Sequence, residues 1–323
     1  MQQRVVEIEK LMSAFLDDGQ MERLHDVLLA CLCGQGRSSD AGMPNGEYVE
    51  RFLSAKKLEG CSKRSISYYQ STLCRFVASI EKPISRIETS DVREYLSSYS
   101  KTSGACNVTI DNIRRVLSTF FSWLEEEDFI YKSPVRRIKK IRSVKSLKPV
   151  YSDEMLEALR DSCTTPRDLA IIDILASTGM RVGELVKLER DDIDFKAREC
   201  VVHGKGGKDR RVYFDARTKL HLEAYLSERS DTNTAAFVSL ASPHERLEIS
   251  GVETRLKQIG KTAKVPKVHP HKFRRTLATQ AIDKGMPIEQ VQVLLGHSKI
   301  ETTLCYAMVD QENVKRSHRK YIG

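Results

Sequence analysis

The chain has 323 residues, enough for two domains that each bury a core, and its formal net charge of +9 favours a polyanionic partner. No apolar run approaches the ~20 residues of a membrane span, and Glu7, Glu9, Asp17 and Asp18 interrupt any signal-peptide core. Eight scattered cysteines without C-x-x-C spacing indicate neither a zinc site nor a disulfide framework, so a reduced cytoplasm with no membrane partner is the expected setting.

Residues 1–44 read as an N-terminal helical extension: one or two amphipathic helices to about residue 30, then a break carrying Gly34, Gly36, Ser38, Ser39 and Gly42. A small all-helical domain follows over 45–131. Tyr48, Val49, Phe52 and Leu53 give the stripe of its first helix. The second runs roughly from Lys63 to Ile80, and the third from Ser90, read as its N-cap, to Tyr99. The fourth carries Ile110, Ile113, Val116, Leu117, Phe120, Phe121 and Leu124 at helical spacing, and its aromatics, with Trp123, read as core rather than as a base-stacking platform. Residues 132–149 form a basic segment whose cations, Arg136, Arg137, Lys139, Lys140 and Arg142 among them, are interrupted by no acid. Such a segment is either a solvated linker or a strap along DNA phosphates that releases counterions on binding.

The pattern changes in a second domain over 150–309. Pro166, after Thr164 and Thr165, starts a buried helix that Gly179 stops with a left-handed residue. Cys200–His203 and Arg211–Phe214 are short β-type runs around a glycine-rich turn, the signature of a hairpin. Helices resume to the end, so this domain is mostly α with a small sheet.

Four short segments concentrate the chemistry. Arg181 directly follows the Gly179 stop; His271 and Arg274 stand three apart on one helical face; His297 follows Leu295 and Gly296. Ser298 and Glu301 have capping-box spacing, which predicts a helix carrying Tyr306 about two turns in. Singly, each has a structural explanation. Together they suit phosphoryl transfer. Two guanidiniums can hold the non-bridging oxygens of a phosphodiester without a metal ion, and a phenol can become covalent with phosphorus. A hairpin lysine, Lys205, can protonate the leaving 5′ oxygen. His271 can accept the phenolic proton or hold the phosphate, and His297 can donate to a transition-state oxygen. The phosphotyrosine retains the bond energy, so neither nucleotide, metal nor other cofactor is expected.

In order and register these motifs resemble the tyrosine recombinase family of phage integrases and Xer-type enzymes. Thr178-Gly179-Met180-Arg181 with Glu184 and Leu185, Lys205 in a Gly-Lys-Gly turn, His271-x-x-Arg274, Leu295-Gly296-His297 and Tyr306 nine residues on all stand where the family places them. The resemblance covers roughly residues 45–323. It implies a mainly α fold: a helical, SAM-like core-binding domain, a basic linker, and a mostly α catalytic domain with a small β-sheet, the DNA breaking-rejoining fold. It also implies catalytic roles for Arg181, Lys205, His271, Arg274, His297 and Tyr306, with Glu184 supporting the site. The partners implied are double-stranded DNA with an inverted-repeat core site and a homotetramer on that DNA, with accessory proteins as further candidates. The tail 310–323 would dock on a neighbouring subunit, and Tyr321 there is a decoy lacking the Leu-Gly-His spacing. Arg275 departs from the family, which often has histidine after the His-x-x-Arg arginine. The rivals are a non-catalytic DNA-binding factor of the same fold, a type IB topoisomerase and a metal-dependent nuclease.

Overall fold

The computed structural model describes residues 2–32, 43–142, 149–204, 209–306, 318, 319 and 322, so the Gly/Ser break, Lys205 and most of the C-terminal tail lie outside the described residues. The chain divides into two compact units, Met1–Ser146 and Leu147–Gly323.

The first unit contains α1 (Gln2–Met12), α2 (Asp18–Leu32), α3 (Asn45–Leu58), α4 (Lys63–Ala78), α5 (Thr89–Ser103) and α6 (Asn107–Glu126). The 3.6-residue periodicity of α6 places Leu117, Phe120, Phe121 and Leu124 wholly inside, against Phe52, Leu73 and Phe76 from α3 and α4. Phe52 meets Phe120 edge-on at 5.3 Å, a geometry that ring quadrupoles favour, and Trp123 is buried beside them. These aromatics therefore form core, as their spacing indicates. Helix α5 starts one residue before Ser90. Its N-cap is Glu88, whose amide donates to Asp91 Oδ2 at 2.8 Å, so Ser90 stands inside the first turn.

The described part of the basic segment is attached to this unit. Val135 is buried and Ile138 and Ile141 pack on the core. The Ile141 amide donates to Asp111 Oδ1 at 3.0 Å, and Asn107 Nδ2 donates to the Arg142 carbonyl at 2.9 Å. Arg136, Arg137, Lys139, Lys140 and Arg142 all remain exposed. Apolar residues recurring every three positions turn the segment's apolar edge inward and leave its cations on the surface.

The second unit contains α7 (Asp153–Asp161), α8 (Pro166–Thr178), α9 (Val182–Leu185), strands β1 (Ile193–Asp194), β2 (Glu199–His203) and β3 (Asp209–Tyr213), and then α10 (Ala216–Ser227), α11 (Ile249–Thr262), α12 (Pro270–Asp283), α13 (Ile288–Leu295) and α14 (Ile300–Leu304). Thr165 caps α8 through the Asp168 amide with Pro166 in the first turn, and Gly179 ends it at φ +59°. Helix α8 is buried along most of its length, Arg167, Asp168 and Asp173 included, and packs on α10 and α12. The antiparallel sheet has the order β1-β2-β3, with Val202 opposite Arg210 and Cys200 opposite Val212. Strand β1 pairs only two residues, too few to leave a pattern in the sequence. The spacing of Ser298 and Glu301 misplaces the start of α14. Lys299 is its N-cap, the helix ends at Leu304, and Tyr306 sits just past it in a turn closed by its amide on the Thr303 carbonyl at 2.9 Å.

Candidate active site

The residues that the sequence singles out converge on the carboxyl end of α13. Gly296 ends that helix in the left-handed region, φ +62°, leaving its last carbonyls without intrahelical partners. Three arginines take them. Arg210 Nε donates to the Leu294 carbonyl at 3.3 Å, Arg274 Nη2 to that of Leu295, and Arg181 Nη2 to that of Gly296 at 3.3 Å. The negative end of the helix dipole thus meets three guanidiniums.

Arg274 is 2% exposed, and it also donates to the Gly179 carbonyl at 2.8 Å. Gly179 has no room for a side chain: a Cβ there would stand 2.7 Å from Leu277 Cδ2. This close approach of the α8 stop to α12 brings the carbonyl to the arginine. Both of Arg274's partners are neutral, and among the described residues no carboxylate forms an ion pair with it. Burial, with Arg181 and Arg210 nearby, pulls its pKa down to about 10, still fully charged at neutral pH.

Arg181 is the N-cap residue of α9, and its side chain is about half exposed. Its backbone amide and Nη1 donate to Glu184 Oε2 and Oε1 at 2.7 and 2.8 Å. Arg210 Nη1 and Nη2 approach the same two oxygens at 2.7 and 2.9 Å. Burial raises the pKa of Glu184, but these donors outweigh it and hold the carboxyl down at about 2. Three guanidiniums around one carboxylate leave a surplus of positive charge. That surplus suits contact with an anion.

His297 follows Gly296. Its Nδ1 lies 2.9 Å from the hydroxyl of the buried Thr303, and its carbonyl accepts from Gln292 Nε2 at 3.0 Å. Burial first, then Arg274, Arg181, Arg210 and His271, push its pKa down to about 4, so the ring is neutral near pH 7. His271 is exposed in the first turn of α12, one turn before Arg274 and close enough to affect His297. The Tyr306 ring stacks near His297 with centroids 6.0 Å apart and planes at 26°, its inner side against the small cluster of Ala278, Ala281, Val291 and Leu295.

Arg181, Glu184, His271, Arg274, His297 and Tyr306 are thus assembled from α9, α12, the α13 end and the turn after α14. Lys205 lies outside the described residues. Two contributors escape a motif-based reading. Thr303 anchors the histidine ring. Arg210 carries a detectable signal, because strand alternation puts it on the inward face with Val212 while Arg211 points outward. Among the described residues no cluster of potential metal ligands occurs, and no helix is long and apolar enough to cross a membrane.

Residues 145–313 match the phage integrase family, and residues 48–130 match the phage integrase N-terminal SAM-like domain. Tyrosine recombinase XerC from Staphylococcus aureus (strain bovine RF122 / ET3-1) is 31% identical over 279 residues, covering 83% of this chain and 93% of that protein. Two solved structures share the fold. XerH site-specific recombinase, bound to a palindromic difH substrate in a post-cleavage complex, aligns at TM-score 0.67 and 21% identity over 98% of this chain and 93% of the other. A lambda integrase dimer bound to a COC′ core site aligns at TM-score 0.69 and 18% identity over 90% of this chain and 88% of the other.

Proposed function

The chain belongs to the phage integrase family of tyrosine recombinases and is a site-specific DNA recombinase; from that premise we propose that it cleaves and rejoins DNA through Tyr306 at the arginine-rich site. The carrying observation is Arg274, a buried cation that among the described residues donates to neutral carbonyls, beside Arg181 and the carboxylate that Arg181 shares with Arg210. In the reaction Tyr306 Oη forms a bond to phosphorus as the bond from phosphorus to the 5′ oxygen breaks, leaving a 3′-phosphotyrosine. Arg181 and Arg274 hold the non-bridging oxygens, and their preorganised donors favour the charge that grows there. In the tautomer that takes part, the Thr303 hydroxyl donates to Nδ1 and the proton of His297 is on Nε2, free to donate to a phosphate oxygen. His271 accepts the phenolic proton or holds the phosphate, and Lys205 supplies a proton to the leaving oxygen. Reversal by a different 5′ hydroxyl exchanges strands without an energy source.

The domains expected from the sequence serve this chemistry as a core-binding domain over 45–131, a basic segment over 132–149 and a catalytic domain over 150–309. The exposed cations Arg136, Arg137, Lys139, Lys140 and Arg142 track the phosphate backbone. On α6, Arg115, Ser118, Thr119 and Ser122 line a groove of about 440 Å³ in the first unit and offer further phosphate donors. The protein works in the cytoplasm as a homotetramer on duplex DNA with an inverted-repeat core site, the tail 310–323 docking on a neighbouring subunit.

The test uses wild-type and Tyr306→Phe protein with nicked genomic fragments, which are denatured before covalently held DNA is sequenced. Fragments sharing an inverted repeat and captured only by wild type are expected. Attachment without shared sequence indicates topoisomerase chemistry. Tight binding without attachment indicates a non-catalytic DNA-binding factor.

A further inference from the structure

The pairing of Arg181 with Glu184 is, by itself, a weak way to aim a catalytic group. It is an i,i+3 pair in which Glu184 is buried but the arginine is 46% exposed, so the arginine end stays open to water. What changes it is Arg210, whose side chain is only 13% exposed. Its fork places one nitrogen on each Glu184 oxygen, so each oxygen has one donor from Arg181 and one from Arg210. The carboxylate plane is then fixed from two sides. The arm of Arg210 is seated as well. Its Nε donates to the Leu294 carbonyl, and its Cδ fills the space over Gly296, where an added Cβ would come within 2.8 Å. Strand β3 presents Arg210 inward opposite Val202, so the sheet carries this brace.

We propose that Arg210 is a positioning residue for strand cleavage: its guanidinium clamps Glu184 against the end of α13 and so holds Arg181 where it meets the non-bridging oxygens of the scissile phosphate. Lysine cannot replace it, because a single ammonium cannot hold both carboxylate oxygens in one plane. This inference rests on the cleavage chemistry proposed above.

The experiment uses the full chain and a nicked duplex with a sequence captured by wild type. The cleaved position carries either the ordinary phosphodiester or a methylphosphonate, whose methyl group replaces one charged oxygen. Residues needed only to hold that charge become dispensable on the second substrate. Arg210→Met is expected to slow covalent attachment to the diester on the order of 10²-fold, as a misplacement of about 1 Å does. On the methylphosphonate it should come within about tenfold of wild type, as Arg181→Ala should, because little charge remains to be held. Arg210→Lys keeps a cation beside Glu184 and guards against simple misfolding; it should show the same pattern with a smaller loss. Equal slowing of either folded variant on both substrates would overturn the proposal, because a merely structural role does not depend on phosphate charge. So would an undiminished diester rate. Absence of wild-type attachment on both substrates would instead bring down the cleavage chemistry itself, and this proposal with it.

Discussion

In the first unit the cations of 136–142 stand on the surface, held there by Val135, Ile138 and Ile141 turning inward. In the second, Arg274 is buried and Arg210 nearly so, both tied to backbone carbonyls at a helix end. Under the proposed function the same residue type therefore does different work. Exposed cations are screened by salt and contribute affinity through released counterions, without fixing any one phosphate. Buried guanidiniums have lost their water, and their orientation is set before DNA arrives, so they can stabilise charge that develops during reaction. In the proposed reaction the contrast is between attraction to a polyanion and recognition of one phosphorus atom.

The largest expected effect of breaking that contrast comes from Arg274→Ala. It should lower the rate of covalent attachment by about 10²–10³-fold, the cost of losing one preorganised donor, while DNA affinity in a gel-shift titration changes little. Loss of affinity with an unchanged cleavage rate would make Arg274 another attraction residue.

Glu184→Gln probes the same region through stability. The carboxyl of Glu184 is lowered in the folded protein from an ordinary 4.5 to about 2, so its contribution is complete above 4.5 and is lost as pH falls toward 2. It amounts to roughly 3 kcal/mol. Thermal melts of wild type should therefore fall more steeply across that window than those of the variant; parallel curves would show that the clamp does not hold.

Much of this contrast is legible in the sequence, and the reasons it is incomplete are physical. Helical periodicity locates α3 to α6 because each buries one apolar face. Thr165, Pro166 and Gly179 bound α8 because their backbone preferences are local. The motif residues stand out through their spacing. Arg210 does not, since Arg211 adjoins it and only the alternation of the strand tells which of the two side chains turns inward. The inward packing of Val135, Ile138 and Ile141 is hidden among the cations of a segment that reads as linker. Tyr306 falls beyond α14 because that helix ends at Leu304 with Cys305 as its C-cap, an end that the Ser298 and Glu301 spacing does not mark.

A moderate effect is expected on the exposed side. Neutralising Arg136, Arg137 and Lys139 should weaken DNA binding across all sequences and flatten the plot of log affinity against log salt by about 0.9 for each phosphate no longer neutralised. An unchanged slope would leave these residues as a solvated surface. The smallest effect is spectroscopic. The His297 imidazole should titrate near 4 in the free protein. Sulfate, an anion of phosphate shape, should raise that value by about one unit or more when it enters among the arginines. A free-protein titration near 6.5 would mean that neither burial nor the arginines act on the ring as described.

The most direct measurement is the identity of the attached side chain. Covalent complex formed on a captured duplex is digested with nuclease and trypsin, and the nucleotide-bearing peptide is sequenced by mass spectrometry. The nucleotide should be found on Tyr306, and arginine variants should diminish that peptide without moving the attachment. A nucleotide on Tyr321, or on any other residue, would contradict the assignment of the nucleophile and of the site built around it.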